Sequence, residues 1–414
     1  MRDKFLYIFK ALYQVFMLLV KLPLHIVYFL SYFYPRKRNK WVFSSWEGKK
    51  CRGNSLYLYE YLSKNSNIDL IWITKSKELF NNLNSSEIKV KYGYSFEGIY
   101  ALLSSRVVFI SHSVNDVIPY FIRGSLIVNL GHATYPIKNM SFSKHFAKFS
   151  YLRRLKNYIF SPYNNIKPSY EIVSSGNTLD AASLLDSEKD NERERIISLG
   201  LPKCDHILNL SKLPKEFLNQ VTNQYSKKTI NEDSKIILFL PTWRQDKNFN
   251  LFDYGFDFDR LNDILEENNA TMIINFHPFD ESIRVLGTKK LTGRIRHASF
   301  TGDTVLRFLC ASDILVTDYS SLYSDYLLLD RPIIFSKFDY YNYTNERDIN
   351  VNYESLPGIT VSNWKGVCDS LEEVFNKGID IHKKSRNAWR GHIYSGHDDG
   401  KSCERIQSFI NEIL

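Results

Sequence analysis

Residues 313–335 read DILVTDYSSLYSDYLLLDRPIIF. The opening apolar run ends in the polar pair Thr317-Asp318. A short turn, Tyr319-Ser320-Ser321, leads into a helical pattern over 320–330, and a second apolar run, PIIF, follows. A strand, a turn, a helix and a further strand in that order form a parallel crossover unit. Ser320 or Ser321 is placed to cap the helix, and the unpaired N–H groups at such a helix start favour phosphate.

Working outward, this unit is one of a series. KIILFLPT (235–242), TMIINFHP (271–278), DILVTD (313–318) and PIIFSKF (332–338) read as buried strands, with helical patterns at 258–269, 304–312 and 320–330. An earlier series precedes a polar stretch near 211–234. WVFSS (41–45), DLIWIT (69–74), RVVFISH (106–112) and SLIVNL (125–130) read as strands, with helical patterns at 54–64 and 95–104. Strands alternating with helices predict parallel sheets. Two series predict an α/β chain of two Rossmann-like domains facing across a cleft, an N-terminal one over 41–210 and a C-terminal one over 211–414. Ligands of open α/β sheets bind beyond the carboxyl ends of the strands, so the polar residues ending these strands are the site candidates.

His277 closes TMIINFH and is followed by Pro278. A histidine there projects toward the cleft, where it donates to a phosphate oxygen or serves as an acid. His132 follows the strand SLIVNL and Gly131, and the chain leaves through Thr134, Pro136 and Lys138. A near-neutral imidazole can take a proton from an attacking hydroxyl, and Lys138 can offset charge on phosphate. FLPTWR (239–244) ends a strand with Thr242 and Arg244, candidate phosphate or nucleotide contacts. GLPKCDHI (200–207) reads as a structural turn near the domain boundary.

The first 40 residues differ from the rest. They hold eight Lys or Arg against Asp3 alone, +7 of the chain's total of +9. These charges flank FLYIFKALYQVFMLLVKLPLHIVYFLSYFY (5–34), which Lys10, Lys21, His25 and Pro23 interrupt. The uninterrupted runs fall short of the ~20 apolar residues of a spanning helix. We read 1–40 as an amphipathic segment lying in an anionic membrane interface, with PRKRNK (35–40) among its anchors. The near-neutral remainder excludes a nucleic-acid binder. Five scattered cysteines without a C-x-x-C pair point to neither a disulfide framework nor zinc, and a reducing compartment fits them. No carboxylate cluster has metal-site spacing, so no metal is expected.

The order GHATYPIK, GLPKCDHI, FLPTWR, NFHP, SDILVTDYSSLYSDYLLLDRPIIF and DDGKSCERI resembles that of the CDP-glycerol glycerophosphotransferase family, which builds teichoic acids and capsular polymers. WEGKKCRGNS (46–55) resembles that family's turn near the start of the catalytic region. The resemblance spans about residues 41–414. It implies a GT-B-like fold with the donor held mainly by the C-terminal domain. It makes His132 the candidate base, His277 the histidine at the donor pyrophosphate, and Thr317, Asp318, Ser320 and Ser321 the donor-binding turn. The implied reaction moves glycerol phosphate, or a related polyol phosphate, from a CDP-linked donor to a lipid-linked or polymeric acceptor, releasing CMP. No tightly bound cofactor is implied, and the location is the cytoplasmic face of the cell membrane. The family's H-G-T-P-L-K element is here H-A-T-Y-P-I-K, with Ala133 for Gly and Tyr135 added before Pro136. A nucleotide-sugar glycosyltransferase and a non-catalytic membrane scaffold are the competing readings.

Overall fold

A computed structural model of the chain describes residues 22–414 except 85, 136, 138–165, 178–193, 211–214, 216, 223–228, 243, 245–249, 277–292, 299–302, 347–348, 350 and 378–379. Two wholly parallel sheets organise it. The first joins β1 (Lys37–Phe43), β2 (Asp69–Thr74), β3 (Val90–Tyr92), β4 (Ser105–Ile110), β5 (Leu126–Asn129), β6 (Tyr170–Val173) and β7 (Ile196–Ser198) in the order β3-β2-β1-β4-β5-β6-β7. The second joins β8 (Lys235–Leu240), β9 (Ala270–Ile274), β10 (Ile295–His297), β11 (Ile314–Thr317), β12 (Ile333–Ser336) and β13 (Ile359–Val361) in the order β10-β9-β8-β11-β12-β13. Each order reverses beside its first strand, a switch point that opens a crevice at the strands' carboxyl ends.

The apolar runs of the sequence are the central strands. Val42, Phe43, Val108, Phe109, Leu238, Phe239, Leu315 and Val316 are all fully buried. Strands covered on both faces read as continuous apolar runs, which is why they are legible. The short strands β3, β6, β7, β10 and β13, all but β6 at a sheet edge, escaped the sequence reading. Three or four residues are too few to show a period.

Helices from the chain's end return to the first sheet. Let α1 be Asn54–Asn65, α2 Pro202–Leu210, α3 Leu322–Tyr326, α4 Lys383–Tyr394 and α5 Ser402–Ile413. Asp205 of α2 accepts from the N–H groups of Ser402 (3.0 Å) and Cys403 (2.8 Å), capping α5. Phe409 packs edge-on against Tyr170 of β6. The motifs GLPKCDHI and DDGKSCERI therefore meet in space.

Residues 22–30 are helical and lead through Ser31–Phe33 into β1. Leu22, Ile26, Phe29, Leu30, Tyr32 and Phe33 are exposed. The basic cluster 35–40 divides, which corrects its reading as a set of anchors. Arg36 turns inward and donates to the carbonyls of Leu103 (2.7 Å), Leu102 (3.0 Å), Ser105 (3.1 Å) and Ser31 (2.8 Å). Lys40 is buried in β1 and bonds Ser104. Lys37 and Arg38 stay exposed. No helix among the described residues is long and apolar enough to cross a membrane.

Candidate active site

Three adjacent strands of the first sheet deliver aromatic side chains to one place. Trp46 follows β1, His112 follows β4 and His132 follows β5. The rings of His112 and His132 stack with centroids 4.1 Å apart and planes 7° apart. Trp46 lies 4.3 Å from His112 and 6.0 Å from His132. Two loops are bent to allow this. Gly131 sits at φ +61°, with open space where a Cβ would stand, so conformation and not crowding calls for glycine. Trp46, Glu47 and Gly48 have φ of 51°, 57° and 71°, three successive left-handed residues. That conformation costs about 1–3 kcal/mol for each non-glycine residue, and such strain concentrates at functional sites.

Asp116, wholly buried, holds the strained turn. Its carboxylate accepts from the N–H groups of Glu47 (2.7 Å), Ser111 (2.7 Å) and His112 (3.0 Å), and from Ser111 Oγ (3.1 Å). Ser111 Oγ also bonds His112 Nδ1 at 2.9 Å. One carboxylate thus sets the loop carrying Trp46 and the one carrying His112.

His132 is exposed, with His112, Trp46 and Lys203 beside it. Desolvation, then His112 and Lys203, pull its pKa below the ordinary histidine value, against a hydrogen bond with the Ser111 main chain. His112 is also lowered, by desolvation first and by Arg52. Burial thus disfavours the charged form of both stacked imidazoles.

The loop after His132 reaches the second sheet. Thr134 Oγ1 donates to Asp325 Oδ1 of α3 at 2.7 Å. Lys203 Nζ lies 2.9 Å from the same oxygen, 3.1 Å from Asp325 Oδ2 and 3.3 Å from the His132 carbonyl. Asn54, at the start of α1, accepts from Lys203 N (2.9 Å) and donates to the carbonyls of Leu130 (2.9 Å) and Gly131 (3.0 Å). A closed polar ring, Asn54–Lys203–Asp325–Thr134, thereby fastens the His132 loop to the helix that follows the serine turn. Sequence reading took the turn around Lys203 as structural and passed over Asn54 and Asp325. All three lie inside the quoted motifs, which was the available signal. Tyr135, the added residue, is buried and packs edge-on against Trp389 of α4 at 5.9 Å.

At the second sheet the candidates separate. Thr317 and Asp318 are buried. Thr317 Oγ1 donates to the Leu240 carbonyl (2.8 Å), and Asp318 accepts from Thr242 N (2.8 Å) and Arg244 (2.8 Å). Arg244 also bonds Asp339 through Nε (2.6 Å) and the Thr242 carbonyl. Its guanidinium faces the stacked rings of Tyr319 and Tyr343, 5.0 and 4.9 Å away. Burial works against its charge, but Asp318 and Asp339 outweigh burial and raise its pKa. Arg244 is thus engaged with protein carboxylates, where sequence reading aimed it at phosphate. Ser320 and Ser321 remain half-buried at the turn. Ser320 Oγ accepts from Leu322 N at 3.3 Å, while the Ser321 side chain makes no capping bond. The expected helix over 320–330 is a five-residue α-helix continued by a 3-10 turn, Leu327–Leu329. His277 and Lys138 lie outside the described residues.

A cavity of about 110 Å³ lies away from this place, at the opening ends of β12 and β13, beside Pro332, Ile333 and Ile359.

The sequence profile of the CDP-glycerol:poly(glycerophosphate) glycerophosphotransferase family matches residues 26–412. The chain belongs to this family. A teichoic acid glycerol-phosphate transferase of Staphylococcus aureus (strain NCTC 8325 / PS 47) is 25% identical over 96% of this chain and 95% of its own. A teichoic acid poly(ribitol-phosphate) polymerase of Bacillus spizizenii is 25% identical over 92% of this chain, which spans 58% of that longer protein. The solved structure of the wall teichoic acid polymerase TagF superposes with a TM-score of 0.69 at 20% identity, covering 98% of this chain and 97% of that one. The family and enzyme class read from the motifs hold, as does the two-sheet α/β fold. The glycerophosphotransferase sheets present His132 and the serine turn on loops joined by the polar ring.

Proposed function

We propose that the chain transfers glycerol phosphate, or a related polyol phosphate, from a CDP-linked donor to a lipid-linked or polymeric cell-surface acceptor. The observation that carries this reading is the polar ring, which ties the His132 loop to the helix after the serine turn. The acceptor hydroxyl attacks the β-phosphorus of the donor, the bond to the bridging oxygen breaks, and CMP leaves. His132 takes the hydroxyl proton. A low-pKa imidazole is a weak base alone, and the negative charge of bound phosphates raises its proton affinity where it is needed. The backbone N–H groups at Ser320-Ser321, with His277 and Lys138, stabilise charge on the diphosphate. Thr242, whose N–H is held by Asp318, lines the donor side. Thr317, Asp318 and Arg244 act one step back, shaping the serine turn and the 240–244 loop. No tightly bound cofactor takes part.

A single-residue variant of TagF, superposing with a TM-score of 0.66 at 19% identity, has been soaked with CDPG, which supports CDP-glycerol as the first donor to try. We assign the protein to the cytoplasmic face of an anionic membrane as a peripheral protein. Its exposed aromatic face over residues 22–34 supports that assignment. Residues 1–40 form the anchor, 41–210 the acceptor side and 211–414 the donor side. The test is incubation with CDP-glycerol, CDP-ribitol and nucleotide sugars beside lipid-linked acceptors, with product mass and CMP measured. Transfer of a sugar, or no transfer from any CDP-polyol, overturns the reading.

A further inference from the structure

The ring contacts of His132, His112 and Trp46 do not end at the indole. The Arg52 guanidinium lies 3.9 Å over the Trp46 ring. Arg52, Trp46, His112 and His132 therefore form one chain of contacts, tilted between the indole and His112 and stacked between the two imidazoles, from a cation to the proposed base. Lys50 Nζ stands 5.8 Å from the same indole. Glu47 is the one acidic residue in 46–55, and it pairs with Lys49 at 2.7 Å. Lys50 and Arg52 are close enough for Arg52, ahead of desolvation, to lower the Lys50 pKa. Like charges held together repel, and an anion between them relieves that repulsion.

We propose that this chain of contacts is one wall of the acceptor subsite, holding an anionic phosphodiester of the acceptor against Arg52 and Lys50 while the acceptor's terminal hydroxyl meets His132. The assignment rests on His132 as the base. A guanidinium presents a planar fork that matches two phosphate oxygens, and its contact with the Trp46 ring helps hold that fork in place before the ligand arrives. The indole and the His112 ring stand between charge and base. The strain at Trp46 and Glu47 has a use on this reading. The left-handed turn, pinned through Asp116, brings the indole between Arg52 and His112. The sheet order β1-β4-β5 supplies the rest, because neighbouring strands end side by side.

The test is calorimetric binding of a short oligo(glycerol phosphate) to the full chain without donor, beside a polyol oligomer lacking phosphate. The parent binds the phosphate oligomer and not the neutral one. Arg52→Gln weakens that binding by about tenfold or more, the scale of one charge-assisted hydrogen bond. Arg52→Lys, which keeps the charge without the fork, falls between. Lys365→Gln, a charge removed from an exposed helix surface, binds like the parent. Circular dichroism establishes that each variant is folded. Equal binding of both oligomers by the parent, or Arg52→Gln binding within twofold of it, overturns the proposal. Binding is read without turnover, so a failed transfer assay and a failed subsite give different results.

Discussion

Lys203 and Asp325 form a 2.9 Å ion pair with both side chains under a tenth exposed, joining α2, which packs on α1, to the helix that follows the serine turn. Buried charges survive only when paired and hydrogen-bonded, and here Thr134 and the His132 carbonyl complete the set. Removing one partner strands the other. Lys203→Met is expected to cost about 3–5 kcal/mol in denaturant unfolding. The double variant Lys203→Met/Asp325→Leu recovers part of that loss. A double variant no more stable than Lys203→Met would mean the pair is not the source of the cost.

His132→Gln keeps a hydrogen-bonding group but cannot accept the proton. Turnover should fall by at least about 100-fold, the low end for general acid–base catalysis. Donor affinity should stay within a few-fold, since the base acts during attack. Near-parental turnover on the true acceptor would assign the base elsewhere, with His112 the next to replace.

The downward shift of His132 has a direction that can be measured. Its folded-state pKa lies below the unfolded value, so the unfolded chain binds this proton more tightly. The histidine's share of stability is therefore complete above the unfolded value of about 6.5 and is lost as pH falls from there through the folded pKa. Imidazole NMR of the free enzyme should show one ring, absent in His132→Gln, titrating below 6.5. Bound phosphate oligomer should move that titration upward. A ring titrating above 6.5 in the free enzyme would refute the desolvation argument.

At the donor turn, the side chains and the main chain predict different losses. Ser320→Ala with Ser321→Ala removes one 3.3 Å bond and leaves the backbone donors, so CDP-glycerol affinity should drop only a few-fold. Asp318→Asn disturbs contacts to Thr242 N and Arg244 and should weaken donor binding and stability together. Isothermal titration beside thermal melting separates the two. A larger affinity loss for the serine pair would move the phosphate contact onto the hydroxyls.

The exposed face of 22–34 makes a prediction for lipid. Phe29→Glu with Phe33→Glu should reduce co-sedimentation with anionic vesicles without lowering the melting temperature, because both rings are exposed. Arg36→Ala should do the reverse, since that guanidinium ties three carbonyls of the first domain to that of Ser31. Equal vesicle binding by the Phe29/Phe33 variant would remove this face from the interface.

The sequence by itself determined the architecture and the neighbourhood of the chemistry. Strands such as KIILFL and RVVFI are covered on both faces, so their burial is written as continuous apolar runs. Parallel strands also put the residues that end them on one side, which singled out His132 and the serine turn in advance. Tertiary structure alone decided which polar groups meet. Asn54 finds Lys203 across 149 positions, and Lys203 finds Asp325 across 122. It also turned Arg36 and Lys40 inward while leaving Lys37 and Arg38 outside, and gave Arg244 to two carboxylates. The physical reason is range. Periodicity is a local property of a few residues, whereas a hydrogen bond needs two atoms about 3 Å apart, and for distant residues only the packing of both sheets sets that distance.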